Sequence, residues 1–268
     1  MRARLIFSVE NPGATIPFHH QYVISRWVKE MIVLDPLYSS FKTFSFSGIK
    51  GQTKVGRDGL HILSSKITIV FSSVNEAFVY DLIKKVFSYK RIEFMNLKVR
   101  PESVEIENPI GFETQQKYLC ISPIVFADPR KPGYDTKRYI VPHSDEFSDV
   151  VFESTMQSME KSGLFSAEQM AKFFRFQIVP DPEYMSKISE EEKKIARIYN
   201  TYIQDAKYEV RGYTLPFTLF AEPEVHEFIY NCGVGAITNE GFGMLDVPFP
   251  GGKKPTTAYL PPKVVSQY

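Results

Sequence analysis

Five histidines, His19, His20, His61, His143 and His226, are the side chains here that titrate near neutrality, so they are the first candidates for proton transfer. His19 and His20 are adjacent. If a helix follows them, about 100° separates the two on its surface. His20 then falls with Val23, Ile24, Trp27 and Met31, on an apolar face where a histidine most simply caps the helix or fills the core. His19 falls with Tyr22, Arg26 and Lys29 on the polar face, in a position to meet a ligand or plain solvent. His61 and His143 stand alone in loop-like segments, and His226 lies in a short helix. No His-x-x-x-His or Cys-x-x-Cys pair occurs, so no metal site is expected, and no other cofactor. Ser39-Ser40 and Ser72-Ser73 lack the setting of a nucleophilic serine.

Cations gather in three places. Lys50, Lys54, Arg57 and Lys66 surround the turn GIKGQTKVGRDG; Lys84, Lys85, Lys90 and Arg91 form a second group; Arg130, Lys131, Lys137 and Arg138 flank a Pro/Gly-rich loop with Tyr134 and Tyr139. Cations interleaved with aromatics suit phosphate contacts and base stacking. Each is also what an ordinary solvated surface carries. The densest glycine stretch, GVGAITNEGFGML, holds Gly233, Gly235, Gly241 and Gly243. A helix C-cap and a tight turn would need only one or two. Four permit positive φ and close approach of another backbone, and a run of exposed N–H groups would make an anion-binding concavity. No Gly-Lys-Ser/Thr follows, and the stretch does not lead from a strand into a helix, so it is neither a Walker loop nor a dinucleotide fingerprint.

The elements that must position these groups follow from periodicity. Arg2 to Val9 alternates as a strand; FHHQYVISRWVKEMIVL after Pro17 has helical spacing and closes at Asp35-Pro36. Lys42 to Ile49 and Lys66 to Phe71 read as strands, Asn75 to Ser88 as an amphipathic helix, and Arg91 to Glu107 as one extended strand or a pair. That order is β-α-β-β-α-β, the ferredoxin-like unit. A second pass follows: strand Tyr118 to Phe126, helix Ser144 to Ser162 ended by Gly163, strand Phe173 to Val179, helix Glu222 to Cys232 and strand Gly243 to Val247. Lys207 to Phe220 reads as one long strand bent at Gly212 or Pro216. Lys193 to Tyr202 alternates as a strand, although SEEEKK before it could open a helix. The fold class is therefore α+β, with tandem ferredoxin-like (RRM-like) units at 1–112 and 113–250 and an extended or mobile Pro/Gly-rich tail at 251–268.

With 43% apolar residues, 22 Phe and 15 Tyr in 268 residues, the chain can bury a sizeable core. A formal charge of +1 excludes a globally basic polyanion binder, so any such site must be a local patch. Two distant cysteines, Cys120 and Cys232, suit free thiols in a reducing cytoplasm. The start is unlike a signal peptide, and no run of about 18 apolar residues exists to span a membrane.

G-φ-G-x5-G-φ-G near the C-terminus resembles the glycine-rich loop of the CRISPR-associated repeat-processing endoribonucleases, the Cas six family of the RAMP superfamily. Asn239-Glu240-Gly241-Phe242-Gly243-Met244 is similar to that family's N-S-x-G-F-G-φ ending, PFHHQY (17–22) to its opening of helix one, and KTFSFSGI to its aromatic second strand. The resemblance spans about residues 1 to 248 and implies a metal-independent cleavage of precursor CRISPR RNA within each repeat. The ribose 2′-OH would attack the phosphate, leaving a 2′,3′-cyclic phosphate and a 5′-OH. It implies that Gly233, Gly235, Asn239, Gly241, Phe242 and Gly243 lie against RNA or the first unit, and that Lys50, Lys54, Arg57, Arg130, Lys131, Lys137 and Arg138 bind RNA. The family's histidine after helix one, often Leu-His, is replaced by Leu37-Tyr38, and its helical tyrosine by Lys29. The catalytic candidates are then His19 as base or acid, Tyr38 as a second proton-transfer group, and Lys29 and Lys42 as phosphate stabilisers. Two other readings stay open: a repeat-RNA-binding subunit of a CRISPR effector complex that no longer cuts, and a ferredoxin-like regulator binding a small ligand at its glycine loop.

Overall fold

The computed structural model describes residues 1–33, 36–191, 194–204, 206–252 and 254–261. Asp35, expected to close the first helix, and Lys193, at the start of the ambiguous segment, lie outside the described residues, as do 262–268 of the tail.

Strand Arg2–Val9 sets the first layer. Ala3, Leu5 and Phe7 are buried on one face, while Arg4, Ile6 and Ser8 of the other face are half-buried. It pairs antiparallel with Lys66–Ser73 on one side and Leu97–Glu107 on the other, and Phe44–Phe46 pairs with the outer edge of Lys66–Ser73. Two helices, α1 (Gln21–Val33) and α2 (Glu76–Ser88), cover the apolar face, with Ile24, Trp27, Val28, Phe78, Val79 and Leu82 in one core with Leu5 and Phe7. Asn75 caps α2 by accepting the Phe78 N–H at 3.0 Å. Residues 53–55 and 60–62 form a small ribbon beside this sheet.

The second unit repeats the plan. Its sheet runs Leu245–Asp246, Gln115–Cys120, Phe217–Ala221, Phe176–Pro180, the same ferredoxin-like order as the first. Helices α3 (Asp145–Ser162) and α6 (Pro223–Cys232) flank its core, which includes Tyr118, Phe147, Val151, Phe217, Leu219 and Ile229. Two short helices lie between them: α4 (Ala167–Met170), and α5 (Pro182–Glu190), started by an Asp181 cap and Pro182 in the first turn.

Two expectations change. The strand expected over Lys207 to Phe220 is two strands. Ala206–Tyr213 forms a hairpin with Ala196–Ile203, and Phe217–Ala221 joins the sheet. The break falls at Pro216, which has no N–H to donate to a ladder and whose carbonyl takes the Asp181 N–H at 2.9 Å. The tail is extended, but it is also built in: Thr256–Tyr259 pairs with the Val104–Glu107 end of Leu97–Glu107, whose other end pairs with Ile92–Phe94, making six strands in the first sheet.

The units meet across the first sheet's polar face. Arg2 donates to the carbonyls of Tyr230 (3.1 Å) and Leu245 (2.8 Å) and lies 3.3 Å from the Glu107 carboxylate. Arg4 reaches the same carboxylate at 2.8 Å, and Tyr230 donates its hydroxyl to it at 3.0 Å. Lys254 bonds Tyr230 at 2.7 Å and pairs with Glu107 and Asp246. Burial pushes the Glu107 carboxyl up, but Arg2, Lys254 and Arg4 outweigh it and hold the group down at about 2.

Candidate nucleic-acid interface

The glycine stretch is the hinge of this junction. All four glycines have positive φ: +86° at Gly233, +84° at Gly235, +88° at Gly241 and +69° at Gly243. All four are buried, and what approaches them is protein. A Cβ on Gly235 would sit 2.5 Å from the Val125 carbonyl oxygen, and one on Gly241 would sit 2.6 Å from the Phe46 ring of the first unit. The N–H groups of Gly233, Val234, Ala236, Gly241 and Gly243 bond the carbonyls of Ile229, Gly243, Val125, Thr238 and Pro123, and Gly235 reaches Thr155. A loop whose N–H groups are spent internally offers no anion concavity. Of the two surroundings foreseen for it, RNA or the first unit, Gly241 has the first unit. Phe242 is buried too, edge-on to Tyr199 at 6.0 Å. Asn239 is half-buried beside Glu240.

Glycine freedom here sets the course of one short turn. Residues Thr238–Glu240 make a 3-10 turn between Ile237 (φ +50°) and Gly241. The turn aims Glu240 at α1. The Glu240 carboxylate accepts Ser25 Oγ–H at 2.5 Å and the Lys29 ammonium at 2.6 Å, and its side chain is 4% exposed. The hairpin packs on the same face of α1, and Lys29 reaches the Tyr202 carbonyl at 3.5 Å as well as Glu240. Tyr199 packs on His19 with centroids 4.6 Å apart, and Tyr202 on Tyr22 at 5.1 Å. Beside them α1, the end of the hairpin and residues 89–93 border an open groove of about 1180 Å³, lined by Tyr22, Arg26, Lys29, Tyr89, Arg91 and Tyr202 among others. His19, Tyr199 and Glu240 stand outside its lining. Aromatic faces and cations along one channel are what a single-stranded nucleic acid needs. Gln21 Oε1, Trp27 Nε1 and Thr201 Oγ1, all on α1 or the hairpin strand against it, are buried without a hydrogen-bond partner among the described residues.

His19 and His20 precede α1, which starts at Gln21, so the helical wheel does not extend to them. His20 is buried; its Nε2 accepts the Ile49 N–H at 2.9 Å, so the Nδ1–H points to the Pro17 carbonyl at 3.2 Å. His19 is half-buried, and desolvation, with Arg197 nearby, lowers its pKa, so the neutral imidazole prevails at neutral pH.

The other chemical candidates scatter. Lys29 borders the groove, but Tyr38 does not. Tyr38 is 5% exposed, donates its hydroxyl to Asp81 of α2 at 3.1 Å, and packs on Phe78 at 4.9 Å. Its sequence position next to the expected loop histidine suggested chemistry; its aromatic neighbours draw it into the core. Lys42 is exposed ahead of strand Phe44–Phe46.

The cation groups divide. Lys54 and Arg57 are exposed on the ribbon, whereas Lys50 faces the charge network between the units; burial first, then Arg2 and Arg4, lower its pKa to about 8. Arg130 is clamped by Asp128, with Nε to Oδ1 at 2.8 Å, and lies within the field of Glu240. Lys131 donates to Gln157 at 2.7 Å and Arg138 pairs with Glu146. Both flank a second, smaller pocket backed by Tyr134 and Tyr213, and Lys137 is exposed nearby. Sequence reasoning missed Glu240, Ser25, Tyr199 and Tyr202. An acidic residue inside an otherwise small-residue loop was the one available signal.

The fold and this junction define a tandem ferredoxin-like protein. The family described as CRISPR associated protein Cas6, C-terminal, matches residues 106–247, more than half of the chain, and the chain belongs to that family. It is 24% identical over 260 residues to a CRISPR-associated endoribonuclease-like protein Cas6 of Pyrococcus furiosus, covering 89% of this chain and 94% of the relative. Among solved structures, the product of a Cas6-related gene from Pyrococcus furiosus superposes with a TM-score of 0.74 at 18% identity, covering 92% of this chain and 98% of the other. A RAMP protein described as binding different RNA substrates gives 0.73 at 19% identity, with 92% and 99% covered.

Proposed function

We propose that this Cas6-family chain binds CRISPR repeat RNA along the groove between α1, the hairpin and residues 89–93, and cuts precursor CRISPR RNA beside it without a metal. The observation that carries it is the convergence of Tyr22, Tyr202, Lys29 and Arg26 on one channel at the junction of the units. In the reaction the ribose 2′-OH gives its proton to a base and its oxygen bonds to the adjacent phosphorus. The 5′-oxygen leaves and takes a proton, which yields a 2′,3′-cyclic phosphate and a 5′-OH. His19, kept neutral by desolvation and Arg197, has the form a base requires. Lys29 would stabilise phosphate charge. The small-ligand regulator reading loses its site, because the four glycines are buried and their N–H groups bond protein acceptors.

A second reading is favoured by one observation. His19 and Lys29 stand ten residues apart on and before α1, about 15 Å along the helix axis at 1.5 Å per residue. Lys29 is also held by Glu240. Groups so placed bind an extended strand more readily than they converge on one phosphate. The protein would then hold repeat RNA uncut, as a subunit of a CRISPR effector complex. One experiment tests both: end-labelled repeat RNA incubated with the protein in EDTA. Cleavage with a cyclic-phosphate end, abolished by a 2′-deoxy ribose upstream of the cut, supports the first reading. RNA bound but intact supports the second, and no binding at all refutes both.

A further inference from the structure

Each cation that lines the groove has a carboxylate partner. Arg26 pairs with Glu30 at 3.2 Å, Arg91 with Glu10 at 2.5 Å, and Lys29 with Glu240 at 2.6 Å. The pairs are not equivalent. Arg26 and Glu30 are 83% and 62% exposed, so a phosphate arriving from solvent can take the arginine with little loss. Glu240 is different because its carboxylate cannot leave. Its side chain is 4% exposed, it accepts Ser25 Oγ–H at 2.5 Å, and it is carried on a turn fixed between Ile237 and Gly241, both in the left-handed region. Gly241 in turn is wedged against Phe46 and Gln21. Lys29, at 35% exposed, faces the groove with the Glu240 carboxylate fixed behind it.

Resting on the reading of the groove as an RNA surface, we propose that Glu240 is a specificity-determining residue. Its buried carboxylate cancels the Lys29 charge, so that the groove does not retain RNA through phosphate contact alone. A generic polyanion arriving at Lys29 meets an ammonium and a carboxylate together, and gains little. Affinity then has to come from base stacking on Tyr22 and Tyr202 and from the shape of the channel, which depend on the RNA's sequence and fold. Suppressing the wrong partner by neutralising an attractive charge is a form of discrimination that costs affinity for all RNA and selects among them.

The test is fluorescence anisotropy with labelled repeat RNA and labelled oligo-uridine, at several salt concentrations, for wild type, Glu240→Gln, Lys29→Met and the double variant. Glu240→Gln keeps the side chain's size and its acceptor for Ser25 but releases the Lys29 charge. It should tighten oligo-uridine binding about tenfold and steepen the log–log salt dependence by about 0.7, the increment of one single-strand phosphate contact. Lys29→Met leaves the Glu240 charge unpaired and should weaken oligo-uridine binding about tenfold, and the double variant should return to wild type, as a neutralised pair requires. Thermal melts accompany each variant, and Glu240→Ala replaces Glu240→Gln if the latter does not fold. Oligo-uridine binding unchanged or weakened in Glu240→Gln overturns the proposal, as does a double variant that keeps the gain of Glu240→Gln. If repeat RNA still binds in either case, the groove reading stands. Absence of repeat-RNA binding by wild type overturns the groove reading and this proposal together.

Discussion

A methyl group added at Gly243 should cost far more stability than one added at Gly251, although both positions have φ in the left-handed region, +69° and +81°. The conformational penalty of alanine there is common to both, about 1 kcal/mol. The surroundings differ. A Cβ at Gly243 would sit 2.0 Å from the Val234 carbonyl oxygen, whereas at Gly251 nothing lies within 4 Å. The obstacle is backbone, so no rotamer change relieves it. The loop must shift, and with it the Val234 N–H to Gly243 O bond (2.9 Å) and the Gly243 N–H to Pro123 O bond (2.7 Å). Overpacking that moves backbone costs about 1–3 kcal/mol, giving about 2–4 kcal/mol in all at Gly243. At about 2–4 °C per kcal/mol, Gly243→Ala should melt about 4–16 °C below wild type and Gly251→Ala about 2–4 °C below. Circular-dichroism melts measure both, with repeat-RNA affinity alongside. Equal drops in the two variants would refute the reasoning, since they would leave the conformational penalty as the whole effect. A normal melt with lost RNA binding would show instead that the loop's glycines serve the RNA.

Acid should unfold the protein through Glu107. Its pKa is held below the ordinary value, so its stabilisation is complete above about pH 4.5 and is lost as pH falls from there towards 2, an effect of about 3 kcal/mol. Lys50 and Lys254, both lowered to about 8, work in the other direction, and stability should rise as pH climbs from about 8 to 10.5. Urea titrations from pH 3 to 10 should trace both arms; a flat acid arm would refute the first. Tyr38→Phe removes the hydroxyl bond to Asp81, so it should cost about 1 kcal/mol of stability and leave RNA affinity and cleavage unchanged, as gel assays and melts would show. His19→Ala should lower single-turnover cleavage by about 10²–10⁴-fold with RNA affinity nearly kept. A wild-type rate would remove His19 from the chemistry.

Much of the frame was legible because it is local. Asn75 and Ser144 announced their helices, each accepting an N–H three residues on, and Gly163 ended α3 in the left-handed conformation. The buried Ala3, Leu5 and Phe7 were visible as alternation. What escaped is decided by partners distant in sequence. Alternation along Lys207 to Phe220 says strand, but which strand ends where depends on Ala196–Ile203 and Phe176–Pro180 taking different halves. The start of α5 is local as well, an Asp181 cap followed by Pro182 in the first turn. Tyr38 looked chemical by its place in the chain, yet Phe41 and Phe78 decide where it goes. The need for glycine at 233, 235, 241 and 243 was visible; that the approaching atoms belong to Val125, Val234 and Phe46 was not.

The strand Thr256–Tyr259 has a consequence for how the molecule is made. Its partner, Leu97–Glu107, is synthesised roughly 150 residues earlier and must wait for it across a closed loop of that length. Until then the nascent first unit carries a bare sheet edge, open to pairing with another chain. Once the strand docks, the two units are laced at both ends, by Arg2 reaching the second and by Thr256–Tyr259 returning to the first. Neither unit can then release its neighbour without giving up part of itself, and the mature chain should come apart in a single cooperative step rather than one unit at a time.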